Sequence, residues 1–283
     1  MRPPTLADAV ELLRGGDPDV KILAGGQSLV PMLNFRLLRP TILVDLNGVP
    51  GLNHIAQDAA GGLTIGALVR HADLMAAPLV IERAPLLAEA ARHVGHAAIR
   101  HRGTLGGSVA HADPAAELPA ALVALDARFV LEGGKGRRIV SAADFFQGVL
   151  TTALGPDEIL VEAQIPPQGT GWGFAEIVRR SGDFAVAGVV AHIRPKAGSA
   201  VRCDFARLVG FGVGDRPVSF RAAEDLLMSD DPGLSIARVA AAVTCDPPDD
   251  VHASADYRRH LASILTGDVL GHALERTGGA RRS

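Results

Sequence analysis

The sequence feature that most limits the possible folds is a break at residues 166–173, PPQGTGWG, which is dense in proline and glycine. Neither residue type favours the continuation of a helix or a strand, so the stretch is typical of a linker between domains. Before the break, strand-like and helix-like segments are mixed, whereas after it three strand-like runs are followed by helices. This order predicts a second domain of the α+β class, and 283 residues are enough for two domains of ordinary size.

The predicted elements follow from hydrophobic periodicity, helix-capping residues and turn residues. Thr5 and Asp8 form a capping box that predicts a helix through Arg14, ended by Gly15 and Gly16. In the first domain we also expect strands at 20–24, 41–45, 63–66 and 158–165, a helix at 85–99, a hairpin at 128–140 and a helix cap at Ser141. In the second domain we expect strands at 173–179, 185–194 and 205–213, and helices at about 221–228, 235–243 and 256–275.

Charge and cysteine content exclude several classes of protein. Lys and Arg number 28 and Asp and Glu number 31, and this near balance gives no support for binding to nucleic acid or to an acidic membrane. The apolar runs are much shorter than the roughly 20 residues of a membrane span, and we expect no signal peptide. Cys203 and Cys245 form no Cys-x-x-Cys pair, which excludes a disulfide framework and an all-cysteine iron–sulfur or zinc site in this chain. We therefore expect a cytoplasmic protein.

A glycine pair follows the first predicted strand, in the sequence AGGQS at 24–28. Glycine permits positive φ and close approach, so successive N–H groups can point into one concavity and hold an anion such as phosphate. The hydroxyl of Ser28 would add a donor. The segment matches neither the G-x-G-x-x-G nor the G-x-x-x-x-G-K-[ST] pattern, and the alternative is a plain tight turn at the end of a strand.

A second glycine pair occurs in TLGGS at 104–108, after the basic cluster of Arg100, His101 and Arg102. Two such loops could hold one pyrophosphate from two sides. The alternative is a pair of unrelated turns. We use the names first loop for residues 24–29 and second loop for residues 104–108.

Other polar residues permit more than one interpretation. Asp113 and Glu117 could accept hydrogen bonds from a nucleotide, or Asp113 could simply cap a helix that begins at Pro114. His93 and His96 are three residues apart without a third ligand of fixed spacing, so they predict surface or core histidines and no metal site. The segment 179–183, RRSGD, is either a charged turn or a turn that faces a ligand.

Several motifs occur together and in order: AGGQSLVP at 24–31, PTILVDLNGVPGL at 40–52, RGTLGGS at 102–108, TALGPDEILVEAQIP at 152–166, RRSGDFAVAG at 179–188 and CDPPDDVHASADYRRHLA at 245–262. Through them the chain resembles, over nearly its whole length, the FAD-binding medium subunit of molybdenum hydroxylases of the carbon monoxide dehydrogenase and xanthine dehydrogenase type. Each motif is weak alone, and their order makes the resemblance specific.

The resemblance implies a fold of the α+β class. Residues 1–168 would form an FAD-binding domain of the vanillyl-alcohol-oxidase type, made of two α/β subdomains. Residues 173–283 would form a C-terminal α+β domain with a small, three-stranded antiparallel sheet and helices.

The resemblance also implies which residues bind FAD, mainly through backbone N–H groups of the two loops. Glu117 stands where relatives have an acid, often Asp, near the cofactor. Arg179, Arg180 and Asp183 lie in the segment that brings the second domain to the flavin, and Phe184 stands where relatives often place an aromatic residue by the ring. The implied loop residues are Ala24, Gly25, Gly26, Gln27, Ser28, Leu29, Thr104, Leu105, Gly106, Gly107 and Ser108.

The implied function is electron transfer. An iron–sulfur small subunit would pass electrons from a molybdopterin large subunit to the FAD, which would deliver them to an external acceptor, in a heterotrimer that dimerises. No catalytic acid or base and no metal ligand is predicted. One alternative is a stand-alone FAD-dependent oxidoreductase of the same fold, although the only tyrosine, Tyr257, falls in a C-terminal helix far from the loops. A second alternative is a nucleotide-binding protein without turnover.

The sequence departs from its relatives at two places. Relatives begin with an additional strand that ends in an aromatic-x-x-Arg-Pro pattern, so we expect either a start upstream of Met1 or a missing edge strand. Residues 111–117 read HADPAAE, where relatives devoted to carbon monoxide often have HGDPGND, which argues against carbon monoxide as the substrate. Neither the substrate nor the electron acceptor is predicted.

Overall fold

The computed structural model describes residues 1–14, 17, 19–169 and 171–278. They form three packed parts, which we call the first subdomain (residues 1–52 within that range), the second subdomain (residues 53–165) and the C-terminal domain (residues 171–278). The architecture is mixed α+β, as predicted. No helix in the described part of the chain combines the length and the apolar character needed to cross a membrane.

The first subdomain is a small parallel sheet between short helices. Its elements are α1 (Leu6–Leu13), β1 (Val20–Leu23), α2 (Leu29–Asn34), β2 (Ile42–Asp45) and a 3-10 turn at Leu46–Gly48. The predicted cap of α1 is confirmed, since Thr5 Oγ1 accepts the N–H of Asp8 at 3.1 Å; the predicted end of that helix at Gly15 and Gly16 lies outside the described residues. At the free edge of β2, the backbone of Met1 donates to Leu43 O at 2.6 Å and accepts from Asp45 N at 2.9 Å.

The second subdomain is built on a five-stranded antiparallel sheet in the order β3-β4-β9-β5-β6. Its strands are β3 (Ile55–Gln57), β4 (Leu63–Gly66), β5 (Arg128–Gly133), β6 (Gly136–Ser141) and β9 (Glu158–Ile165), with a separate short pair, β7 (Phe146–Gly148) and β8 (Thr151–Thr152). Its helices are α3 (His71–Ala76), α4 (Pro78–Arg83), α5 (Pro85–His93), α6 (Ala97–Arg100), α7 (Leu105–His111), α8 (Glu117–Ala124) and α9 (Ala142–Phe145). The predicted hairpin and the Ser141 cap are both present, the latter with Asp144 N at 3.2 Å from Ser141 Oγ.

The single helix predicted at 85–99 is wrong, because the chain turns between α5 and α6. Gly95 lies in the left-handed region with φ +47°, a conformation that the apolar spacing does not reveal. Arg100 Nη1 holds this corner by donating to the carbonyls of Val94 at 3.0 Å and Gly95 at 2.7 Å. Both of these residues line the cleft described below.

The C-terminal domain is an antiparallel sheet covered by a long helix. Its strands are β10 (Gly171–Val178), β11 (Ala185–Pro195), β12 (Cys203–Phe211) and β13 (Val218–Ser219), and its helices are α10 (Arg221–Leu227), α11 (Ile236–Ala241) and α12 (Ala255–Arg276). The two-residue β13 adds a fourth strand to the three that the sequence predicts. Residues 171–173, which the sequence assigns to a linker, belong to β10. A Cβ at Gly173 would overlap the carbonyl of Val269 in α12, so this glycine serves close packing rather than flexibility.

A continuous apolar core joins the second subdomain to the C-terminal domain. Leu118 and Leu122 of α8 share one buried cluster with Phe174 and Phe211 of the C-terminal sheet. The ring of His93 also packs on Phe174, with centroids 4.4 Å apart. The break in the sequence therefore separates two parts that are in close contact in the folded chain.

Candidate cofactor-binding site

A cleft of about 550 Å³ lies where the three parts meet. All of the predicted site residues except Leu105, Arg179 and Arg180 line it. Apolar side chains from the second subdomain, among them Leu154, Ile159 and Leu160, form much of the remaining wall. The volume falls within the range of sites for small molecules and cofactors.

The first loop presents unused backbone donors. It turns at Gly26, with φ +74°, and none of the N–H groups of residues 25–29 has an acceptor within the described part of the chain. The side chain of Gln27 bonds locally, from Nε2 to Gly25 O at 3.1 Å. Successive free N–H groups beside the start of α2 are a suitable cradle for an anionic group.

In the second loop the N–H groups of residues 105–108 bond within the protein, which counts against the prediction that this loop binds mainly through its backbone N–H groups. The N–H groups of Leu105 and Gly106 donate to Val69 O at 2.9 Å and Ala67 O at 2.8 Å. The next two donate to Thr104, from Gly107 N to Oγ1 at 3.0 Å and from Ser108 N to the carbonyl at 3.0 Å. This loop offers the cleft the hydroxyl groups of Thr104 and Ser108, and at Gly106 and Gly107 a surface without side chains.

The glycines let the two loops approach each other and their supports. A Cβ at Gly25 would overlap the carbonyl of Arg102 and lie 2.8 Å from Gly103 Cα, so the first loop rests directly on the backbone that leads into the second. A Cβ at Gly106 would lie 2.8 Å from Ala67 O. Both positions therefore require glycine for steric reasons.

Leu105 does not line the cleft. Its side chain is fully buried in the core of the second subdomain, and its N–H is already bonded. The structure places this predicted site residue in a structural role, as an apolar residue at the start of α7.

Glu117 lies at the first position of α8 and lines the cleft, with 4% of its surface exposed. Burial raises the pKa of its carboxyl to about 7, so near neutral pH this group both donates and accepts hydrogen bonds. Asp113 also lines the cleft, and its Oδ1 accepts the N–H of Ala115 at 2.9 Å. Asp113 therefore stabilises a turn before α8, instead of capping a helix from Pro114.

A second largely buried carboxylate, that of Glu176, was not predicted from the sequence. The carboxylate of Glu176 in β10 accepts a hydrogen bond from His93 across the domain boundary, with Oε1 3.0 Å from Nδ1. This hydrogen bond to Glu176 raises the pKa of His93. The position of this Glu in a strand does not indicate from the sequence which partner it meets.

The C-terminal domain contributes the segment between β10 and β11. Gly182 turns with φ +89° against His96, whose Nε2 would lie 2.9 Å from a Cβ there, and the turn carries Asp183 and Phe184 to the cleft. Phe184 is 62% exposed. Arg179 lies outside the lining, with Nη1 2.8 Å from His252 Nδ1.

Arg180, the other predicted arginine, also lies outside the lining. Its carbonyl accepts the N–H of Asp183 at 3.0 Å, and its side chain is exposed. The structure therefore brings Asp183 and Phe184 to the cleft without the two arginines that precede them.

His71 is a cleft residue that sequence reasoning missed. It is 4% exposed, and its Nε2 lies 2.9 Å from Thr104 O, which can only accept, so Nε2 carries the proton. Desolvation lowers the pKa of His71 to about 4, which leaves the ring neutral at pH 7. Its Nδ1 is a buried acceptor with no partner among the residues that the structure describes.

These features fit an anionic dinucleotide with an aromatic ring system. The first loop supplies free donors for a pyrophosphate, and the apolar wall suits a flat ring. The unpaired Nδ1 of His71 and the buried carboxyl of Glu117 can bond to hydroxyl and ring groups.

Two family descriptions match the chain. Residues 1–168 match the FAD binding domain in molybdopterin dehydrogenase, and residues 172–273 match the CO dehydrogenase flavoprotein C-terminal domain. The chain belongs to this flavoprotein family.

Similar proteins agree over the whole length. The chain is 39% identical over 298 residues to the 6-hydroxypseudooxynicotine dehydrogenase complex subunit alpha of Paenarthrobacter nicotinovorans, covering 100% of this chain and 99% of that one. Its fold matches a carbon monoxide dehydrogenase from Hydrogenophaga pseudoflava that lacks the Mo-pyranopterin moiety, with a TM-score of 0.91, 36% identity and coverage of 97% and 96%. It also matches quinoline 2-oxidoreductase from Pseudomonas putida 86, with a TM-score of 0.90, 38% identity and coverage of 97% and 95%.

The resemblance, the fold class and the FAD cofactor predicted from the sequence are therefore confirmed. The flavoprotein is an oxidoreductase component of the molybdenum-hydroxylase type. The names of its relatives are those of subunits and chains of larger enzymes, which favours the subunit prediction over a stand-alone enzyme.

Proposed function

We propose that this flavoprotein is the medium subunit that connects an iron–sulfur subunit to an external electron acceptor. Its partners would be an iron–sulfur small subunit and a molybdopterin large subunit, in a heterotrimer that dimerises. The observation that carries the proposal is the cleft between three parts of the chain, with the free donors of the first loop facing the bare second loop. The subunit names of the relatives support it. The two free cysteines support a cytoplasmic location, where thiols stay reduced.

We also propose that the chain divides into two domains near residue 170. We place an FAD-binding domain at 1–168 and a C-terminal flavoprotein domain at 173–283. The absence of helix or strand at residues 166–169 and the spans of the two family matches support this division.

The residues of the chain bind and orient the cofactor, while the bound flavin supplies the electron-transfer chemistry. The N–H groups of the first loop would hold the pyrophosphate, and the bare second loop would let it approach closely. Glu117 would hold a proton at its carboxyl within the cleft, and His71 Nδ1 would accept a hydrogen bond. Phe184 would cover the ring from the C-terminal domain. We assign no catalytic acid or base.

The test is an absorbance spectrum of the purified chain, recorded before and after addition of FAD and desalting. We expect flavin bands that survive desalting in stoichiometric amount. A chain that stays colourless and cannot be reconstituted, even when co-expressed with its partner subunits, would contradict the proposal.

Electron transfer needs a separate experiment, because flavin binding alone also fits a protein without turnover. We expect a reduced iron–sulfur partner to bleach the bound flavin, and an added acceptor to restore its colour. Screening a nicotinamide dinucleotide, a quinone and a cytochrome in the second step would identify the class of acceptor. A bound flavin that no reduced partner bleaches would leave only a binding role.

A further inference from the structure

Two side chains outside the cleft connect the backbones of the two loops. The amide nitrogen of Asn47 donates to Ala24 O at 2.8 Å, and the amide oxygen accepts from Arg70 Nη2 at 2.6 Å. The other terminal nitrogen of Arg70, Nη1, donates to the carbonyl of Arg102. A chain of three hydrogen bonds therefore runs from the base of the first loop to the segment that leads into the second.

The partners of Asn47 fix the orientation of its amide. Nδ2 also donates to Asp45 Oδ1 at 2.6 Å, so both groups next to it are acceptors. Oδ1 faces Arg70, which is a donor only. Asp45 Oδ1 accepts the backbone N–H of Asn47 as well, at 3.0 Å, which holds the residue itself in place. An aspartate at this position would place two acceptors against each other.

Arg102 is the point at which the two loops meet. Its carbonyl lies between the guanidinium of Arg70 and the bare Cα of Gly25. The next residue is held by the same segment of the second subdomain, since His71 N donates to Gly103 O at 3.1 Å. Asn47 belongs to the first subdomain and Arg70 to the second, so their bond crosses the boundary between the two.

We propose that Arg70 and Asn47 are positioning residues that set the separation of the two glycine loops and thereby the affinity for a flavin dinucleotide. The inference rests on the proposed function, because the loops are taken to hold the pyrophosphate. Neither side chain lines the cleft, so both act through the loops and not by touching the ligand. Arginine is required for its fork, which reaches two acceptors in fixed directions, and not only for its charge.

Arg70→Lys and Asn47→Ala in the full chain test this, with FAD affinity measured by quenching of flavin fluorescence. The lysine keeps the charge but has one ammonium group in place of the fork. Each variant should bind FAD about 10- to 100-fold more weakly, the range expected for loss of a hydrogen bond to a charged group. The double variant should bind no more weakly than the weaker single variant, because both changes break the same chain of bonds.

Arg83→Lys is the matched control, since Arg83 is exposed and pairs only with Glu82 among the described side chains. It should bind FAD as the wild type does. Wild-type affinity in Arg70→Lys would overturn the proposal and leave Arg70 as a simple charge. Losses that add in the double variant would also overturn it.

Amide hydrogen exchange of the apo chain gives a readout that does not depend on FAD. In both single variants, exchange should become faster in peptides covering 20–34 and 102–108 and stay unchanged in α12. Unchanged exchange in the two loop peptides would overturn the proposal, and so would faster exchange throughout the chain, which marks general destabilisation. A wild-type chain that binds no FAD would instead count against the proposed function, and exchange alone would then decide the positioning role.

Discussion

The two glycine loops have similar sequences, since each has a glycine pair with a serine one or two positions after it. They differ in the hydrogen-bonding groups that they offer a ligand. The first loop leaves the N–H groups of residues 25–29 without acceptors within the described chain, whereas the second gives those of residues 105–108 to the protein itself. The first loop therefore offers hydrogen-bond donors, whereas the glycines of the second loop allow a ligand to approach its backbone closely.

The difference comes from what lies beside each loop. The first loop follows β1, which pairs with β2 in a small sheet, and no neighbouring strand among the described residues accepts its N–H groups. The second runs beside the continuation of β4, where the carbonyls of Val69 and Ala67 accept the N–H groups of Leu105 and Gly106, and its own Thr104 accepts the next two. A glycine-rich motif therefore indicates close approach, while the neighbouring backbone decides whether its donors are free.

The largest expected effect tests the contact between the loops. In Gly25→Ala, the new Cβ would overlap Arg102 O, and backbone cannot move aside as a flexible side chain does. We expect a loss of about 3 kcal/mol in the free energy of unfolding, at the upper end for overpacking, and loss of FAD retention. Urea denaturation and the flavin spectrum measure the two effects.

Gly271→Ala is the control for this change, because a Cβ there meets nothing within 4 Å and the position lies inside α12. It should stabilise the chain by about 0.5–1 kcal/mol and leave FAD binding unchanged. If Gly25→Ala behaved in the same way, the proposed contact between the loops would be incorrect.

Acid should affect the second loop through His71, which bonds to Thr104. The pKa of His71 is about 4 in the folded chain and about 6.5 when unfolded, so the unfolded state binds more protons between these values. The contribution of the neutral His71 to the free energy of unfolding is complete above pH 6.5. It is lost as the pH falls towards 4, by up to about 3 kcal/mol. Denaturation of wild type and His71→Gln at pH 7 and pH 5 gives the stability that each protein loses between the two pH values, and the difference between the two losses is the effect of His71.

In that comparison the effect of His192 cancels, because burial lowers its pKa to about 4 in both proteins. His71→Gln should therefore lose less stability than the wild type between pH 7 and pH 5. Equal losses in the two proteins would show that His71 is not held neutral by its site.

The protonated carboxyl of Glu117 would give the cleft a side-chain hydrogen-bond donor, in addition to the backbone donors of the first loop. Its pKa is raised to about 7 from an ordinary 4.5, so its stabilising contribution is complete below 4.5 and is lost as the pH rises through 7, by up to about 3 kcal/mol. Glu117→Gln should thus be more stable than wild type at pH 8 and nearly equal to it at pH 4.5. Denaturation at the two pH values measures this, and a difference that does not change with pH would refute the raised pKa.

The smallest expected changes in stability come from alanine substitutions at the second glycine of each pair, Gly26 and Gly107. Gly26→Ala should cost about 1–2 kcal/mol, because φ is +74° and a side chain is strained there. In Gly107→Ala, the Cβ would displace the capping Thr104 Oγ1, 2.8 Å away, at a cost of about 1 kcal/mol that the better helix propensity of alanine largely offsets.

We therefore expect Gly107→Ala to keep its stability but to bind FAD more weakly, because the Cβ also projects towards Ala24 and narrows the gap between the loops. Gly26→Ala should lose both stability and binding. Denaturation and FAD titration measure the two quantities, and wild-type FAD affinity in Gly107→Ala would show that the bare surface of the second loop is not needed.

The sequence predicts what depends on local pattern. The Thr5 cap, the 133–136 hairpin and most strands follow from short-range signals, and the glycine pairs are enough to locate both loops. The use of the N–H groups of Leu105 and Gly106 was not predictable, because their acceptors, the carbonyls of Val69 and Ala67, are far away in the sequence. The asparagine and arginine that connect the loops, Asn47 and Arg70, carry no motif of their own.

The sequence is least informative about glycine. Gly95 interrupts an apolar spacing that is otherwise typical of one long helix. Gly171 and Gly173 resemble flexible linker residues, but a Cβ at either would meet the backbone of β11 or α12. The same residue type serves bending in one place and close packing in another, and only the neighbours distinguish the two.

The apolar core shared by α8 and the C-terminal sheet has a consequence for a protein that transfers electrons. Electron transfer slows steeply with distance, so a carrier benefits from a frame that does not change shape between donor and acceptor. Because Phe174 and Phe211 are packed in the same core as Leu118, the sheet that carries Phe184 cannot rotate away from the glycine loops as a rigid body. A ring held between the glycine loops and this sheet would therefore keep one position through successive turnovers.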